Sequence, residues 1–321
     1  MTLSEYWHEG MRLLSGLYPE NEASAMLRIL CEDLFGIPSY KIVTEPEAMA
    51  PGTADHALER LSSGEPLQYV LGYAEFRSRR FKVGPGVLIP RPETEQLVDL
   101  ALEHLPAGGS AIDLCTGSGC IAWSIALDAR PSRVVGVDLS PEALGFARGQ
   151  GCGLLGAGAT ENRGDACGIE GQAGGGSTGR SVGGGSSADR EDQAGGWGDG
   201  SIEFIQRDIL GPLPGLGGFD VLTCNPPYVM GSQRAQMRTN VLDWEPSMAL
   251  FVEDDDPLLF YRAVAGHAPE LLREGGYGVV EINDVLGPQT LALFESAAGL
   301  SGASLIQDFS GRDRFVQFWR R

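Results

Sequence analysis

The sequence predicts an α/β fold, a doubly wound Rossmann-like sheet preceded by a small helical N-terminal domain. From about residue 110 onward, short apolar segments alternate with helical ones, as in sheets covered by helices on both faces. The first 60 or so residues show only the helical spacing of apolar residues. A glycine-containing segment, Asp113–Gly119, lies where the first strand of the sheet should turn into a helix.

Three helices are expected in the N-terminal domain. Ser4 is the expected cap of the first and Asn21 of the second, because short polar side chains pair with free amides in a first helical turn. The third covers Asp55–Leu61, and a hairpin within Phe76–Ile89 leads toward the sheet. These elements predict three regions: a helical domain at 1–75, a hairpin or linker at 76–90 and the α/β domain at 91–321.

The α/β domain is predicted from alternating strand and helix signals. Strands are expected at Ala111–Leu114, Val134–Asp138, Ile202–Gln206, Val221–Cys224, Tyr277–Ile282, Ser304–Asp308 and Arg314–Trp319. Helices are expected at Ile121–Leu127, from Pro141 onward with Ser140 as cap, at Pro257–Leu272 and at Pro288–Ala297. Open sheets of this kind bind ligands beyond the carboxyl ends of their strands.

One segment interrupts the alternation. Residues 149–200 contain 19 glycines in 52 positions and only five bulky apolar residues. Such a segment buries too little apolar surface to offset its ordering entropy. We therefore interpret it as a disordered insertion into the α/β domain.

Composition narrows the classes of partner. The net charge of -19 argues against a nucleic-acid partner, which is bound mainly through Lys and Arg. No apolar run approaches the roughly 20 residues that cross a bilayer, and no signal peptide is expected. Six cysteines without a CxxC pair and four scattered histidines predict reduced thiols and no metal site. A cytoplasmic protein is expected, with a monomer as the default.

The glycine segment and a following acid indicate a ligand that contains adenosine. Gly117 and Gly119 allow the backbone to approach a ligand closely. Asp138 ends the next predicted strand, where a carboxylate can accept both hydroxyls of a ribose. A nicotinamide cofactor remains an alternative at this point, because Gly117-Ser-Gly119-Cys-Ile-Ala122 also fits the dinucleotide pattern GxGxxA.

The tetrapeptide Asn225-Pro226-Pro227-Tyr228 favours methyl transfer to nitrogen. It follows an apolar strand and should emerge at the same sheet edge as the glycine segment. An Asn oxygen and the Pro226 carbonyl can accept both hydrogens of a planar NH₂ group, whose lone pair is otherwise delocalised. That interaction strengthens as a methyl group transfers in line from a sulphonium, so S-adenosylmethionine is the predicted cofactor. A dehydrogenase has no use for this turn.

Several longer segments resemble one family, the protein-(glutamine-N5) methyltransferases of peptide-chain release factors (HemK/PrmC family). The resemblance covers nearly the whole chain except 149–200. Its most specific segments are Glu65–Gly72 with Phe76 and Val87–Glu95, with further matches at Trp244–Pro246, Ala249-Leu250 and Gly311–Arg314. An NPPY turn alone is shared with DNA-adenine methyltransferases.

The resemblance implies a class I methyltransferase sheet of seven strands and an N-terminal domain that helps to dock a release factor. The implied methyl acceptor is the glutamine of the factor's Gly-Gly-Gln loop. The implied cofactor-site residues are Asp113, Cys115, Thr116, Gly117, Gly119, Asp138, Asp208 and Asn225. The implied acceptor-site residues are Asn225, Pro226, Pro227, Tyr228, Arg91 and Glu93, with Asn225, Pro226 and Tyr228 closest to the chemistry.

Three positions differ from the family pattern, and other interpretations of the sequence stay open. Gln150 stands where the family has Asn, Asn283 where glycine is more usual, and Cys115 where methyltransferases often have glycine. The segment Arg91-Pro92-Glu93 could instead be a turn that joins the domains, with Arg91 paired to a nearby acid. Methylation of adenine or guanine in nucleic acid, and a non-catalytic scaffold that binds the cofactor, are the alternative functions.

Overall fold

The computed structural model describes residues 1–154, 195–197 and 200–321. Within residues 1–75, five short α-helices build the N-terminal region, and three of them lie where helices were predicted. They are α1 (Leu3–Leu14), α2 (Glu20–Ile29, continued by a π-helical turn at Leu30–Leu34), α3 (Lys41–Thr44), α4 (Ala54–Ser62) and α5 (Leu67–Leu71). Their apolar faces form one cluster that includes Leu3, Leu14, Leu27 and Leu58.

The two predicted N-caps are wrong. Thr2, not Ser4, caps α1, because Thr2 accepts from the Glu5 amide while the Glu5 side chain pairs back with the Thr2 amide. The second helix follows Pro19, whose fixed φ of -57° suits a helix start, so Asn21 already lies inside the first turn.

The hairpin begins earlier than predicted. Strand β1 (Tyr73–Phe76) pairs antiparallel with β2 (Arg79–Lys82), across a turn in which Arg77 and Ser78 have positive φ. Strand β1 therefore crosses the expected boundary between residues 75 and 76. The segment 83–93 then leads to the first helix of the α/β domain.

The α/β domain contains all seven predicted strands within a few residues of their expected bounds. Its strands are β3 (Ser110–Leu114), β4 (Arg133–Asp138), β5 (Gly195–Trp197), β6 (Gly200–Gln206), β7 (Phe219–Cys224), β8 (Val229–Met230), β9 (Phe251–Val252), β10 (Leu272–Glu281), β11 (Leu300–Gln307) and β12 (Asp313–Arg320). Its helices are α6 (Thr94–His104), α7 (Cys120–Ala129), α8 (Pro141–Gly149), α9 (Gly151–Leu154), α10 (Thr239–Trp244), α11 (Ser247–Leu250), α12 (Leu259–Leu271) and α13 (Gly287–Ser296).

The main sheet has the order β11-β12-β10-β7-β3-β4-β6-β5. Strands β10, β7, β3, β4 and β6 are parallel. Strand β12 pairs antiparallel with both β10 and β11, so it alone among these seven strands runs in the opposite direction. The order reverses between β3 and β7, so the loops after these strands diverge and leave a crevice at their carboxyl ends. Two apolar clusters, one on each face of the sheet, hold the helices against it.

The eighth strand, β5, was not predicted. Strand β5 lies near the end of the glycine-rich segment and pairs antiparallel with β6. Helix α9 lies at the beginning of the same segment. Regular structure thus extends into residues 149–200 from both sides. The predicted disorder between residues 155 and 194 lies outside the described residues. In the described part of the chain, no helix is long and apolar enough to cross a membrane.

Candidate active site

Two cavities meet at the carboxyl edge of the sheet, at the point where the strand order reverses. The larger has a volume of about 320 Å³ and the smaller about 240 Å³. Both are lined by Leu88, Arg91, Asn225 and Ala249, so these four residues form the junction between them. The larger volume lies in the range typical of sites for small ligands.

The larger cavity is built around the glycine bend, which is formed by residues 115–119 between β3 and α7. Its lining includes the predicted residues Cys115, Thr116, Gly117, Asp138, Asp208 and Pro227. Gly117 has a φ of +56°, and a Cβ there would meet only Val87, at 4.0 Å. Cys115 adopts a φ of +57°, a conformation that favours glycine. That strain is the physical reason why glycine suits position 115.

Asp138 holds the glycine bend in place. One carboxylate oxygen accepts the Gly117 amide at 2.8 Å and the other accepts the Ser140 amide at 2.9 Å. Burial raises the pKa of Asp138, and these backbone hydrogen bonds oppose the shift. A carboxylate has two lone pairs on each oxygen, so Asp138 can still accept the hydroxyls of a ribose.

Asp113 and Gly119 support the bend from behind and line neither cavity. Asp113 is fully buried and accepts hydroxyl hydrogen bonds from Thr116 at 2.6 Å and from Thr223 at 2.8 Å. Burial raises the pKa of its carboxyl to about 7. Gly119 has a φ of +78° and packs closely against Ala147, where a Cβ would come within 3.0 Å. Both residues shape the cavity without lining it.

The Asn225–Tyr228 turn lies at the junction and lines the smaller cavity. Asn225, Pro226 and Tyr228 contribute to that cavity, and Asn225 and Pro227 also line the larger one. The Asn225 amide nitrogen donates to the hydroxyl oxygen of Thr94 at 3.3 Å. Among the described residues, no group donates a hydrogen bond to Oδ1 of Asn225 or to the carbonyl of Pro226. Two acceptors of one turn are therefore free for a ligand.

A buried glutamate organises this turn from the end of β10. Glu281 is 1 % exposed and accepts the Thr94 hydroxyl at 2.7 Å and the Tyr228 hydroxyl at 2.9 Å. Burial raises the pKa of Glu281, and burial together with Glu281 raises that of Tyr228. The hydrogen bonds fix the Thr94 hydroxyl toward Glu281, which leaves its oxygen to accept from Asn225.

Arg91 and Glu93 have different surroundings. Arg91 lines both cavities and forms a 2.6 Å ion pair with Glu245, whose side chain is 1 % exposed. Glu245 also accepts the backbone amide of Ile89 at 3.0 Å. Glu93 is exposed and lines neither cavity. Arg91 is thus paired to an acid and also available to a ligand. Glu93, which was expected in the acceptor site, lies outside both cavities.

Gln150 joins the hairpin to the glycine bend. Its buried amide accepts the Lys82 amide at 2.8 Å, donates to the Lys82 carbonyl at 2.9 Å and donates to the Ser118 carbonyl at 3.2 Å. The residue that departs from the family pattern here is therefore a structural link between β2 and the larger cavity.

Thr94 and Glu281 are site residues that the sequence did not reveal. Glu281 is the last residue of an apolar strand, and an acidic residue at the carboxyl end of a strand could have indicated a site residue. Thr94 is the first residue of α6, and only the fold brings it beside Asn225, 131 positions further along the chain.

The arrangement can hold an adenosine-containing ligand beside an NH₂ group. The glycine bend, Asp138 and Asp208 line one cavity, and the two free acceptors of the Asn225–Tyr228 turn lie where the other begins. Within the described residues no cluster of His, Cys, Asp or Glu could hold a metal ion.

Comparisons with known proteins find relatives that are similar over most of the chain. A release factor glutamine methyltransferase of Bacteroides thetaiotaomicron is 34% identical over 309 residues, which cover 94% of this chain and 95% of that protein. One of Flavobacterium psychrophilum is 29% identical and covers 99% of each chain. Among solved structures, a methyltransferase from Pyrococcus furiosus is similar with a TM-score of 0.45 and 12% identity, over 83% of this chain and 98% of that one. No protein-family model matches the chain.

Proposed function

The chain belongs to the family of release factor glutamine methyltransferases, and on that premise we propose that it methylates N5 of the glutamine in the Gly-Gly-Gln loop of a peptide-chain release factor. The methyl donor is S-adenosylmethionine. The single observation that supports the acceptor is the pair of unoccupied hydrogen-bond acceptors, Oδ1 of Asn225 and the carbonyl of Pro226, at the junction of the two cavities.

The larger cavity fits the donor. Asp138 would accept the ribose hydroxyls, Asp208 would accept from the adenine amino group, and the bend at Cys115–Gly117 would lie along the rest of the molecule. Bound S-adenosylmethionine supplies a methyl group on a positively charged sulphur. The acidic side chains of this cavity and the absence of a bulky side chain at Gly117 suit such a cation.

The smaller cavity fits the glutamine side chain. Its carboxamide NH₂ would donate one hydrogen to Asn225 and the other to Pro226. As the nitrogen becomes positively charged during transfer, both hydrogen bonds strengthen, so these oxygens stabilise the transition state more than the ground state. Tyr228 offers a flat face to the acceptor, and the proton leaves after transfer without a strong base.

The partner and setting follow from the same proposal. We propose that the active unit is a monomer. With a net charge of -19, we propose recognition of a protein acceptor without direct nucleic-acid binding. We propose a cytoplasmic reaction, because the proposed substrate acts in translation. We propose the N-terminal domain, residues 1–75, as a docking region for the release factor.

Mass spectrometry of a release factor tests the proposal. The factor is incubated with the protein and S-adenosylmethionine, then digested and sequenced by fragmentation. We expect one added methyl group, located on the glutamine of the Gly-Gly-Gln loop. An unmodified factor would refute the proposal.

A matched substrate separates glutamine from other acceptors. A factor with Gly-Gly-Asn in place of Gly-Gly-Gln keeps a carboxamide but shortens the side chain, so little methylation is expected. Methyl groups transferred instead to DNA or RNA in a parallel incubation would favour the nucleic-acid alternative. Cofactor binding without transfer to any of these acceptors would favour the scaffold.

A further inference from the structure

Asn283 lies two residues beyond Glu281, where the chain leaves β10. Its side chain is buried and its amide nitrogen donates two hydrogen bonds, 2.9 Å to the carbonyl of Tyr228 and 2.8 Å to Oε1 of Gln233. Its own oxygen accepts the Val285 amide at 3.3 Å and so caps a short 3-10 helix. The two donors of this amide therefore point to the last residue of the Asn225–Tyr228 turn and to the segment that follows it.

Gln233 extends the contact along the same segment. The oxygen that accepts from Asn283 also accepts the backbone amide of Met230 at 2.9 Å. Asn283 and Gln233 together, here called the amide clip, fasten the chain after Pro227 at two points, Tyr228 and Met230. A glycine at position 283 has no side chain and could donate neither of the two hydrogen bonds that Asn283 makes.

Residues at and just after the end of β10 form hydrogen bonds with both the side chain and the backbone of Tyr228. Glu281 accepts the hydroxyl of this residue and Asn283 donates to its carbonyl, so two residues of one strand end fix both ends of Tyr228. Tyr228 is three positions from Asn225, with two prolines of fixed φ between them. Movement of Tyr228 is therefore transmitted to the two free acceptors.

We propose that Asn283 is a positioning residue, which through the amide clip sets the free acceptors Asn225 and Pro226 relative to the larger cavity. This inference rests on the proposed function, since it assigns those acceptors to the methyl-accepting amide. Asn283 lines neither cavity and so touches neither ligand itself. Its effect should appear in turnover and not in binding of the cofactor.

The substitution Asn283→Asp tests the role with little change in shape. It keeps the oxygen that caps the 3-10 helix and replaces both donors by an oxygen that faces two acceptors. Because misplacement of a reacting group by about 1 Å costs up to about 100-fold, we expect kcat to fall at least about 10-fold. The KM for the release factor and the Kd for S-adenosylmethionine should stay within about 3-fold. An unchanged kcat, or an equal loss of cofactor affinity, would overturn the proposal.

A pair of substitutions at Gln233 gives a second test with a partly buried residue. Gln233→Glu keeps an oxygen for the amides of Asn283 and Met230, whereas Gln233→Leu removes it. We expect Gln233→Leu to reduce kcat and Gln233→Glu to retain most of it. Equal effects of the two would contradict a role for the clip oxygen.

Hydrogen exchange examines the clip without any substrate. The Met230 amide should exchange faster in Asn283→Asp and Gln233→Leu than in the wild-type protein, because its acceptor is displaced or missing. The control is Asn21→Asp, the same change at an exposed site. Unchanged exchange would refute the clip. A wild-type protein that leaves the release factor unmodified would refute the proposed function instead, whatever the exchange shows.

Discussion

Asn225 and Asp113 both lie at the carboxyl edge of the sheet, yet only Asn225 faces a cavity. Asn225 lies at the junction of the two cavities, with one oxygen free for a ligand. Asp113 has both oxygens bonded to hydroxyls and is buried behind the glycine bend. The first residue should therefore control transfer and the second should control stability.

Asn225→Ala should abolish turnover and leave the cofactor bound. Removing one stabilising partner of a transition state typically costs about 100- to 1000-fold in kcat. The Kd for S-adenosylmethionine should change little, because Asp138, Asp208 and the glycine bend remain. Single-turnover kinetics and calorimetric titration measure the two quantities, with Asn21→Ala as the exposed control. Equal losses of turnover and affinity would contradict the assigned role.

Asp113→Asn should stabilise the protein more at neutral than at acidic pH. Since burial raises the folded-state pKa of Asp113 from 3.8 to about 7, the unfolded chain loses this proton first as the pH rises. The group therefore lowers the free energy of unfolding between those two values, by up to about 1.4 kcal/mol per pH unit. The asparagine cannot ionise.

Urea unfolding at several pH values measures this difference. The gap between Asp113→Asn and the wild-type protein should widen from about pH 4 to about pH 7 and then stay constant. The control is Asp255→Asn, the same change at an exposed acid. A gap that does not depend on pH would mean that the Asp113 carboxyl is ionised throughout.

At the scale of the elements, the strands were more predictable than their connections. The expected strand Val134–Asp138 differs from β4 by one residue, because a buried parallel strand is a continuous apolar run. The cap of α1 was misplaced because Thr2 and Ser4 are both suitable polar residues, and that of α2 because this helix follows Pro19 and has no side-chain cap. Sequence alone could not bring Thr94, Asn225 and Glu281 together, because that contact depends on strand order and not on any local pattern.

Gln150 shows how a connection affects the site. Gln150→Leu would leave the Lys82 amide and carbonyl and the Ser118 carbonyl without their partner, at a cost of about 2 kcal/mol. Because Ser118 belongs to the glycine bend, cofactor affinity should fall as well. Urea unfolding and calorimetric titration test both effects. The exposed change Gln289→Leu should alter neither, and a stable variant with normal affinity would contradict the link.

The pair Arg91–Glu245 fastens the segment before α6 to the loop before α11. Arg91→Met should lower the free energy of unfolding by about 2 kcal/mol, because it leaves a buried carboxylate without its cation. Adding Glu245→Gln should restore most of this loss. The exposed pair Arg12–Glu9 provides the comparison, and Arg12→Met should lower the free energy of unfolding much less. A double variant no more stable than Arg91→Met would show that packing, not charge, holds the two segments.

At the scale of the whole molecule, net charge separates the two enzymatic readings. A protein with a net charge of -19 should show no binding to duplex DNA or to an RNA hairpin that depends steeply on salt. Fluorescence anisotropy at low and at physiological ionic strength measures this, with the release factor as the positive control. Tight nucleic-acid binding that weakens steeply with added salt would support methylation of a base.

In the proposed function, one turn holds a carboxamide nitrogen beside the methyl donor. A crystal structure with S-adenosylhomocysteine and a release factor tests it most directly. We expect the sulphur in the larger cavity near Gly117, and the glutamine nitrogen within hydrogen-bond distance of both Oδ1 of Asn225 and the carbonyl of Pro226. A glutamine bound elsewhere, or with its oxygen instead of its nitrogen facing these two acceptors, would contradict the account.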